Sequence, residues 1–383
     1  MVNKKRLAET FKTLVSIDSV SREEGRVSRE IRKMLEPLNP EVFIDDAGRH
    51  TGSDTGNLIL RIAGTRDVPP LMLNAHMDTV EPGRGVKPRF VDGVFYSDGT
   101  TVLGADDKSA LAIIIETVLS LHENNRDHGP LDLVFTICEE IGLQGVKNMD
   151  FSLISAKYGY ALDTADTETI ITRAPTANHF ELAVHGKAAH AGAEPEKGIN
   201  AIVLASRAIA SLELGRIDEE TTANIGVFQC EGATNIVPET ARIKGEVRSH
   251  DPAKLEAVTR KILDAFDAQA RTWPREQDGQ DVPRVTVDLT NEFPRTHIPE
   301  EHAVVRMAKT AAARLGRELV CRRTGGGADA NIFFGKGIVT GVIGTGMREI
   351  HTVRENIAVD DMARTVELLT EIIGLHAHGD YRP

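Results

Sequence analysis

No uncharged apolar stretch in this 383-residue chain approaches the roughly 18 residues that a membrane span needs. The opening segment, Met1 to Leu14, mixes Lys4, Lys5 and Arg6 with scattered apolar positions, too few in a row for a signal peptide. Cysteine is scarce. Cys138, Cys230 and Cys321 are far apart and odd in number, so they make neither a metal-type pair nor a disulfide framework. These absences lead us to expect a cytoplasmic protein with no membrane partner. Basic residues are outnumbered, 45 against 57 acidic, for a formal net charge of −12. Clustered Lys and Arg are what phosphate binding requires, so nucleic acid is not an expected partner. Low-complexity segments and fixed-period repeats are also missing.

What is present is a soluble, globular balance, with 41% hydrophobic and 27% charged residues. The length exceeds one ordinary core and suggests two domains, or one with an insertion. Leu7, Phe11, Leu14 and Val15 fit one face of an opening helix. A second helix is expected from about Glu23 to Leu38, with Val27, Ile31, Met34 and Leu35 on one side. Short β runs follow at Asn57–Ile62 and Leu71–Ala75, then a loop rich in Gly, Pro and Asp as far as Gly104. Lys108–Leu121 is strongly apolar and of helical length. Leu131–Ile137 is a continuous apolar run typical of a strand buried on both faces, and Tyr158–Leu162 is another. Strands alternating with helices predict an α/β fold, with a doubly wound, mainly parallel sheet.

The pattern changes near Ala174. His179–His185 alternates, with Phe180, Leu182 and Val184 on one face. A helix near Asn200–Leu214, strands near Ala223–Gln229 and Ala241–Val247, a helix near Pro252–Thr272 and a strand near Arg284–Leu289 complete a β-α-β-β-α-β order. That order fits a small ferredoxin-like α+β domain. A helix at Glu301–Leu315 and a strand at Ile338–Ile343 return to the first style. The expected organisation is a discontinuous catalytic domain, 1–173 and 292–383, interrupted by a lid, 174–291.

Open parallel sheets place their chemistry beyond the carboxyl ends of the strands. Leu71–Ala75 ends in His76, with Asp78 two residues later; the loop before the long helix gives Asp106; Leu131–Ile137 leads to Glu139 and Glu140; Tyr158–Leu162 leads to Asp163; His351 follows Ile338–Ile343. Singly, each has a bland reading as a satisfied histidine, a helix cap, a solvated acid or a turn residue. Together they make a set that coincidence explains poorly. A carboxylate cluster without cations repels itself, and bound metal removes the conflict. Two imidazoles and three carboxylates suit zinc, with cobalt or manganese as substitutes, rather than magnesium or a structural zinc.

The stretches His76-Met77-Asp78-Thr79-Val80, Gly104-Ala105-Asp106-Asp107-Lys108, Glu139-Glu140-Ile141-Gly142 and Gly186-Lys187-Ala188-Ala189-His190 resemble the M20 metallopeptidase family, most closely its peptidase T branch of tripeptide aminopeptidases. The ordered set carries the resemblance, which spans about Leu7 to Leu375. It implies two zinc ions per subunit, one on His76 and Asp163, the other on Glu140 and His351, with Asp106 bridging. Asp107 would not be a ligand. Asp78 would orient the His76 imidazole, and Glu139 would be the general base.

The resemblance further implies that His190 donates to a tetrahedral oxyanion and that Asn235 helps hold substrate or oxyanion. Arg248 would be a clamp for a substrate carboxylate, where an ion pair is the plain alternative. Gly326 and Gly327, in Gly325-Gly326-Gly327 before Asp329 and Asn331, let backbone approach a ligand or simply permit a tight turn. In several relatives the histidine matching His190 reaches the neighbouring subunit's site, so a homodimer through the lid is expected. The leading expectation is an exopeptidase on short peptides. The alternative is a deacylase of N-acyl amino acids, and a non-catalytic metal-binding scaffold is a third class.

Overall fold

The computed structural model describes residues 2–273, 281–379 and 381. The chain forms two compact units: Met1–Arg173 with Thr296–Thr324 and Ala328–Pro383, and Ala174–Arg295 with Gly325–Gly327. The second boundary falls later than the expected 291/292, because the strand Arg284–Phe293 runs past that point. Gly325–Gly327 also group with the inserted unit, not with the segments that flank them in sequence.

In the first unit a nine-stranded sheet is built around four parallel neighbours: Leu131–Thr136, Leu71–His76, Tyr158–Thr164 and Val339–Gly344. Antiparallel partners flank them, Leu58–Ile62 on one side and Thr169–Ala174 on the other. All residues of Leu71–His76 and Leu131–Thr136 are buried, polar Asn74 and Asp132 among them, as befits central strands covered on both faces. Alternation along the strands separates two cores. Tyr160, Leu162, Ile170 and Ile343 join the main cluster, with Phe11, Ile113, Met307 and Leu369 from helices. Ala161, Ile171 and Val342 pack with Ala330 of the helix Asp329–Gly335. Side chains of period two point to opposite faces, so helices cover both sides of the sheet. The fold is a doubly wound α/β sheet with antiparallel edges.

The opening helix, Lys4–Val15, buries the expected Leu7, Phe11, Leu14 and Val15. In Gly25–Leu35, Val27, Ile31 and Leu35 are buried while Met34 is only half-buried. The loop expected before Gly104 contains a hairpin, Arg89–Val91 with Val94–Tyr96, to which Asn356–Ala358 adds a third strand. Three-residue strands with exposed Phe90, Val91 and Tyr96 carry no alternation to read.

The inserted unit is an antiparallel sheet in the order Gly215–Arg216, Thr221–Gln229, Thr240–Ser249, Thr176–His185, Arg284–Phe293. Phe180, Leu182 and Val184 point to one face, where Leu204 and Ala208 of the helix Ala201–Ala210 and Ile262 and Phe266 of the helix Pro252–Arg271 cover them. This is the ferredoxin-like order with one short added edge strand.

His376, near the end of the helix Val359–Ala377, is buried, and its Nε2 lies 3.0 Å from the Tyr158 hydroxyl. Burial pushes the imidazole down to about 4. The folded protein therefore keeps it neutral, whereas the unfolded chain takes up a proton near pH 6.5. Stability from this residue is complete above pH 6.5 and is lost as pH falls towards 4. Urea unfolding of wild type and His376→Phe at pH 7 and pH 4 tests this: wild type should lose about 3 kcal/mol more than the variant across that interval.

Candidate metal centre

Parallel pairing explains why distant residues meet. His76 lies opposite Thr136 across the parallel pair Leu71–His76 and Leu131–Thr136, so Glu139 and Glu140 emerge at the same edge as His76. Tyr158–Thr164 pairs with Leu71–His76 from the other side and brings Asp163 to that edge. Asp106 arrives from the segment that opens the helix Ala105–Glu123. Its dihedral angles, φ −83° and ψ 103°, are not helical, so it is no ordinary first-turn acid. Gly104 before it has φ +77°, a conformation that favours glycine.

The two oxygens of Asp106 meet different imidazoles. Oδ1 lies 3.1 Å from His76 Nε2, and Oδ2 lies 3.2 Å from His351 Nε2. His351 Nε2 is also 3.1 Å from Glu140 Oε1. His76, Asp106 and Glu140 each offer a ligand atom within 4.8 Å of the others, a spacing that can hold a metal ion. Asp163 is half-buried, with Asp106, His76, Glu140 and Asp329 as its charged neighbours.

The electrostatics are those of an acid-rich pocket. Burial, aided by Asp163, Asp329 and Glu140, pushes the Glu139 carboxyl well up. Burial and the Asp106 charge do the same to Asp163. His76 shows the counterpart: burial alone would favour neutral imidazole, but Asp106 and Asp78 together hold its pKa well above the usual value. Contacts with Asp106 and Glu140 raise His351 to about 10. Acids and imidazoles in mutual contact, calling for positive charge among them, form a donor set that fits divalent cations.

Asp78 is fully buried. His76 Nδ1 is 2.9 Å from the Asp78 carbonyl oxygen and 3.4 Å from its carboxylate, so the main chain makes the shorter contact. The carboxylate accepts the Glu139 N–H at 2.9 Å, the Glu140 N–H at 3.2 Å and the Ser21 hydroxyl at 2.6 Å. One side chain thus reaches both an imidazole and the acidic loop. Asp107 is buried as well, and its Oδ2 accepts the His76 N–H at 3.2 Å.

The remaining candidates belong to the inserted unit. His190 is exposed and pairs through its backbone with Ile236, while the Ala191 N–H donates to the Asn235 carbonyl at 2.9 Å. The loops of His190 and Asn235 are therefore neighbours. His190 Nδ1 accepts from the N–H groups of Gly192 and Ala193, at 3.2 and 3.1 Å. That use of Nδ1 leaves Nε2 as the donor. Arg248 already holds a carboxylate: Nε and Nη2 donate to the two oxygens of Glu246, both at 3.0 Å, and Nη1 donates to the Gly325 carbonyl at 3.2 Å. A Cβ on Gly327 would come within 2.4 Å of the Phe293 ring, so packing alone demands glycine there.

Three buried acids, Glu24, Asp329 and Glu355, escaped the sequence reading of the centre. Glu24 accepts the Cys138 N–H and the Arg22 N–H, each at 2.9 Å. Asp329 accepts the Thr136 hydroxyl, and burial raises its carboxyl to about 6. In sequence they look like any of 57 acids. Only the Glu355 spacing, four residues after His351, hinted at a neighbour of the site.

Comparison with known proteins adds a family and close structures. The family described as Peptidase family M20/M25/M40 matches residues 72–374. The structure of aminopeptidase PepT from Bacillus cereus ATCC 10987 is similar, at 41% identity and a TM-score of 0.89, covering 98% of this chain and 99% of that one. A tripeptidase from Staphylococcus aureus Mu50 matches at 36% identity and a TM-score of 0.91, over 99% and 100% of the two chains. The fold is shared with the Bacillus subtilis YXEP protein, described as a dinuclear metal-binding peptidase, at 19% identity, a TM-score of 0.73 and coverage of 97% and 98%.

Removing the Asp78 carboxylate strands the amides of Glu139 and Glu140 and the Ser21 hydroxyl. Asp78→Ala should therefore destabilise the chelator-treated protein by about 3 kcal/mol in urea unfolding. A loss below about 1 kcal/mol would mean that these bonds do not hold the acidic loop.

Proposed function

The chain belongs to peptidase family M20/M25/M40, and from that premise we propose that it is a two-metal exopeptidase that hydrolyses an amide bond in short peptides, tripeptides foremost. The observation that carries the proposal is Asp106, whose two oxygens each face a different imidazole. The similarity to an aminopeptidase and a tripeptidase along nearly the whole chain supports the substrate class.

In this reading His76, Asp163, Glu140 and His351 would hold two zinc ions, the first pair one and the second pair the other, with Asp106 as the ligand they would share; cobalt or manganese could substitute. Such a pair supplies Lewis acidity and makes water nucleophilic near neutral pH. Glu139 accepts the proton of the attacking water and passes it to the departing amine. Its backbone is held by Asp78, which fixes where the carboxyl starts. His190 donates from Nε2 to the oxyanion, since Nδ1 is engaged by two amides. Asn235, Gly326 and Gly327 contribute to holding the substrate. Arg248 grips a substrate carboxylate only by exchanging Glu246, and a half-exposed ion pair is weak enough, at about 1 kcal/mol or less, to be exchanged. We further propose a cytoplasmic homodimer joined through the inserted unit.

Purified protein freed of metal by chelation should be inactive on tripeptides and regain activity with zinc, cobalt or manganese. Glu139→Gln should keep its metal while kcat falls by roughly 10²–10⁴-fold. Normal turnover by that variant would remove Glu139 from its role. Offering tripeptides beside N-acyl amino acids separates the two reactions: release of acetate or succinate, with peptides untouched, would make the protein a deacylase. His190→Ala should lower kcat by roughly 10²–10³-fold with a smaller change in KM; an unchanged kcat would exclude it as the oxyanion donor.

A further inference from the structure

We propose that Glu355 is a positioning residue for the metal centre, a buried carboxylate that fixes the backbone of Asp106 and ties it to the loop of His351; this rests on Asp106 being the bridging ligand. Glu355 is 1% exposed. Its Oε2 accepts the N–H of Leu103 at 2.7 Å and of Gly104 at 2.8 Å, and its Oε1 accepts the N–H of Asp106 at 2.9 Å. Three amides about 250 residues away in sequence thus converge on one side chain.

The chemistry of the contact is specific to a carboxylate. Both oxygens accept, and the three amides occupy three of their roughly four acceptor sites. Burial raises the Glu355 carboxyl to about 7, and the convergent amides act against that rise by favouring the ionised form. The bonds fall on the residues that most need fixing. Asp106 lies outside helical geometry, so the helix ladder does not hold its N–H, and Gly104 before it is conformationally free. The Glu355 end is fixed too: its carbonyl accepts the Ser97 N–H at 3.0 Å, and its own N–H donates to Thr352 at 3.2 Å. Thr352 follows His351 directly. Glu355 therefore sets the distance between Asp106 Oδ2 and the His351 imidazole. Groups that orient metal ligands are worth 10–100-fold in affinity or activity.

Glu355→Gln separates this role from simple support. The amide keeps the shape of the side chain but turns one acceptor into a donor. Its oxygen is best placed on the Leu103 and Gly104 pair, which leaves its NH₂ facing the Asp106 N–H. We expect the metal-free variant still to unfold cooperatively, less stable than wild type because one buried N–H is stranded, and to bind cobalt(II) at least about tenfold more weakly by calorimetric titration. Its cobalt absorption spectrum should be altered, and kcat should fall more than KM rises. Cobalt affinity equal to wild type would overturn the proposal. Should Glu355→Gln fail to fold, amide exchange of the metal-free wild type decides. Slow exchange at Leu103, Gly104 and Asp106 is expected, and exchange as fast as in exposed loops would overturn it. His76→Ala, titrated in parallel, distinguishes the two readings. If it loses cobalt while Glu355→Gln keeps it, the positioning role fails alone; if it also binds like wild type, the dinuclear centre fails and this inference with it.

Discussion

A carboxylate removed from water must find donors, a cation or a proton, and this constraint organises the first unit of the protein. Asp78, Glu24 and Glu355 are almost completely buried. Each meets its need with main-chain N–H groups of loops at the sheet edge: Glu139 and Glu140, Cys138, and Leu103, Gly104 and Asp106 respectively. Loops that would otherwise be free to move are stapled by acids from elsewhere in the chain. Asp106, Glu140 and Asp163 are supplied with imidazoles and with each other instead, and that set calls for metal.

The sheet makes the convergence possible. Four parallel strands end on one side, so residues that follow them share a region whatever their separation in sequence. His76, Glu139, Glu140 and Asp163 all follow from that. His351 and Asp106 need more, because neither directly continues a strand. Asp106 stands in a non-helical turn and His351 in a loop at φ +59°. Those two places are the ones that Glu355 and the small sheet of Arg89–Val91, Val94–Tyr96 and Asn356–Ala358 bring together.

The inserted unit obeys a simpler rule. Alternation on Thr176–His185 buries Phe180, Leu182 and Val184 beneath two helices, and its loops carry His190 and Asn235 side by side. Here local pairing decides what a residue can do. His190 spends one ring nitrogen on two amides and keeps the other as donor, whereas Arg248 spends its fork on Glu246. Neither commitment is visible in a string of letters, since histidine and arginine read alike whether free or engaged.

By itself the sequence determined the class of fold, the buried strands and the acids and histidines at their ends. Apolar periodicity and the spacing of polar residues after apolar runs are local properties, and they survive in one dimension. The hairpin before Gly104 was not legible, because its three-residue strands are too short and too exposed to leave a pattern. Nor was the grouping of Gly325–Gly327 with the inserted unit. Tertiary structure alone decided which of the many acids are buried and which amides they hold. Asp78 could be picked out beside His76, but Glu355 meets Asp106 across 249 residues. An acid's neighbours, and not its place in the sequence, settle whether water, an amide or a metal satisfies its charge.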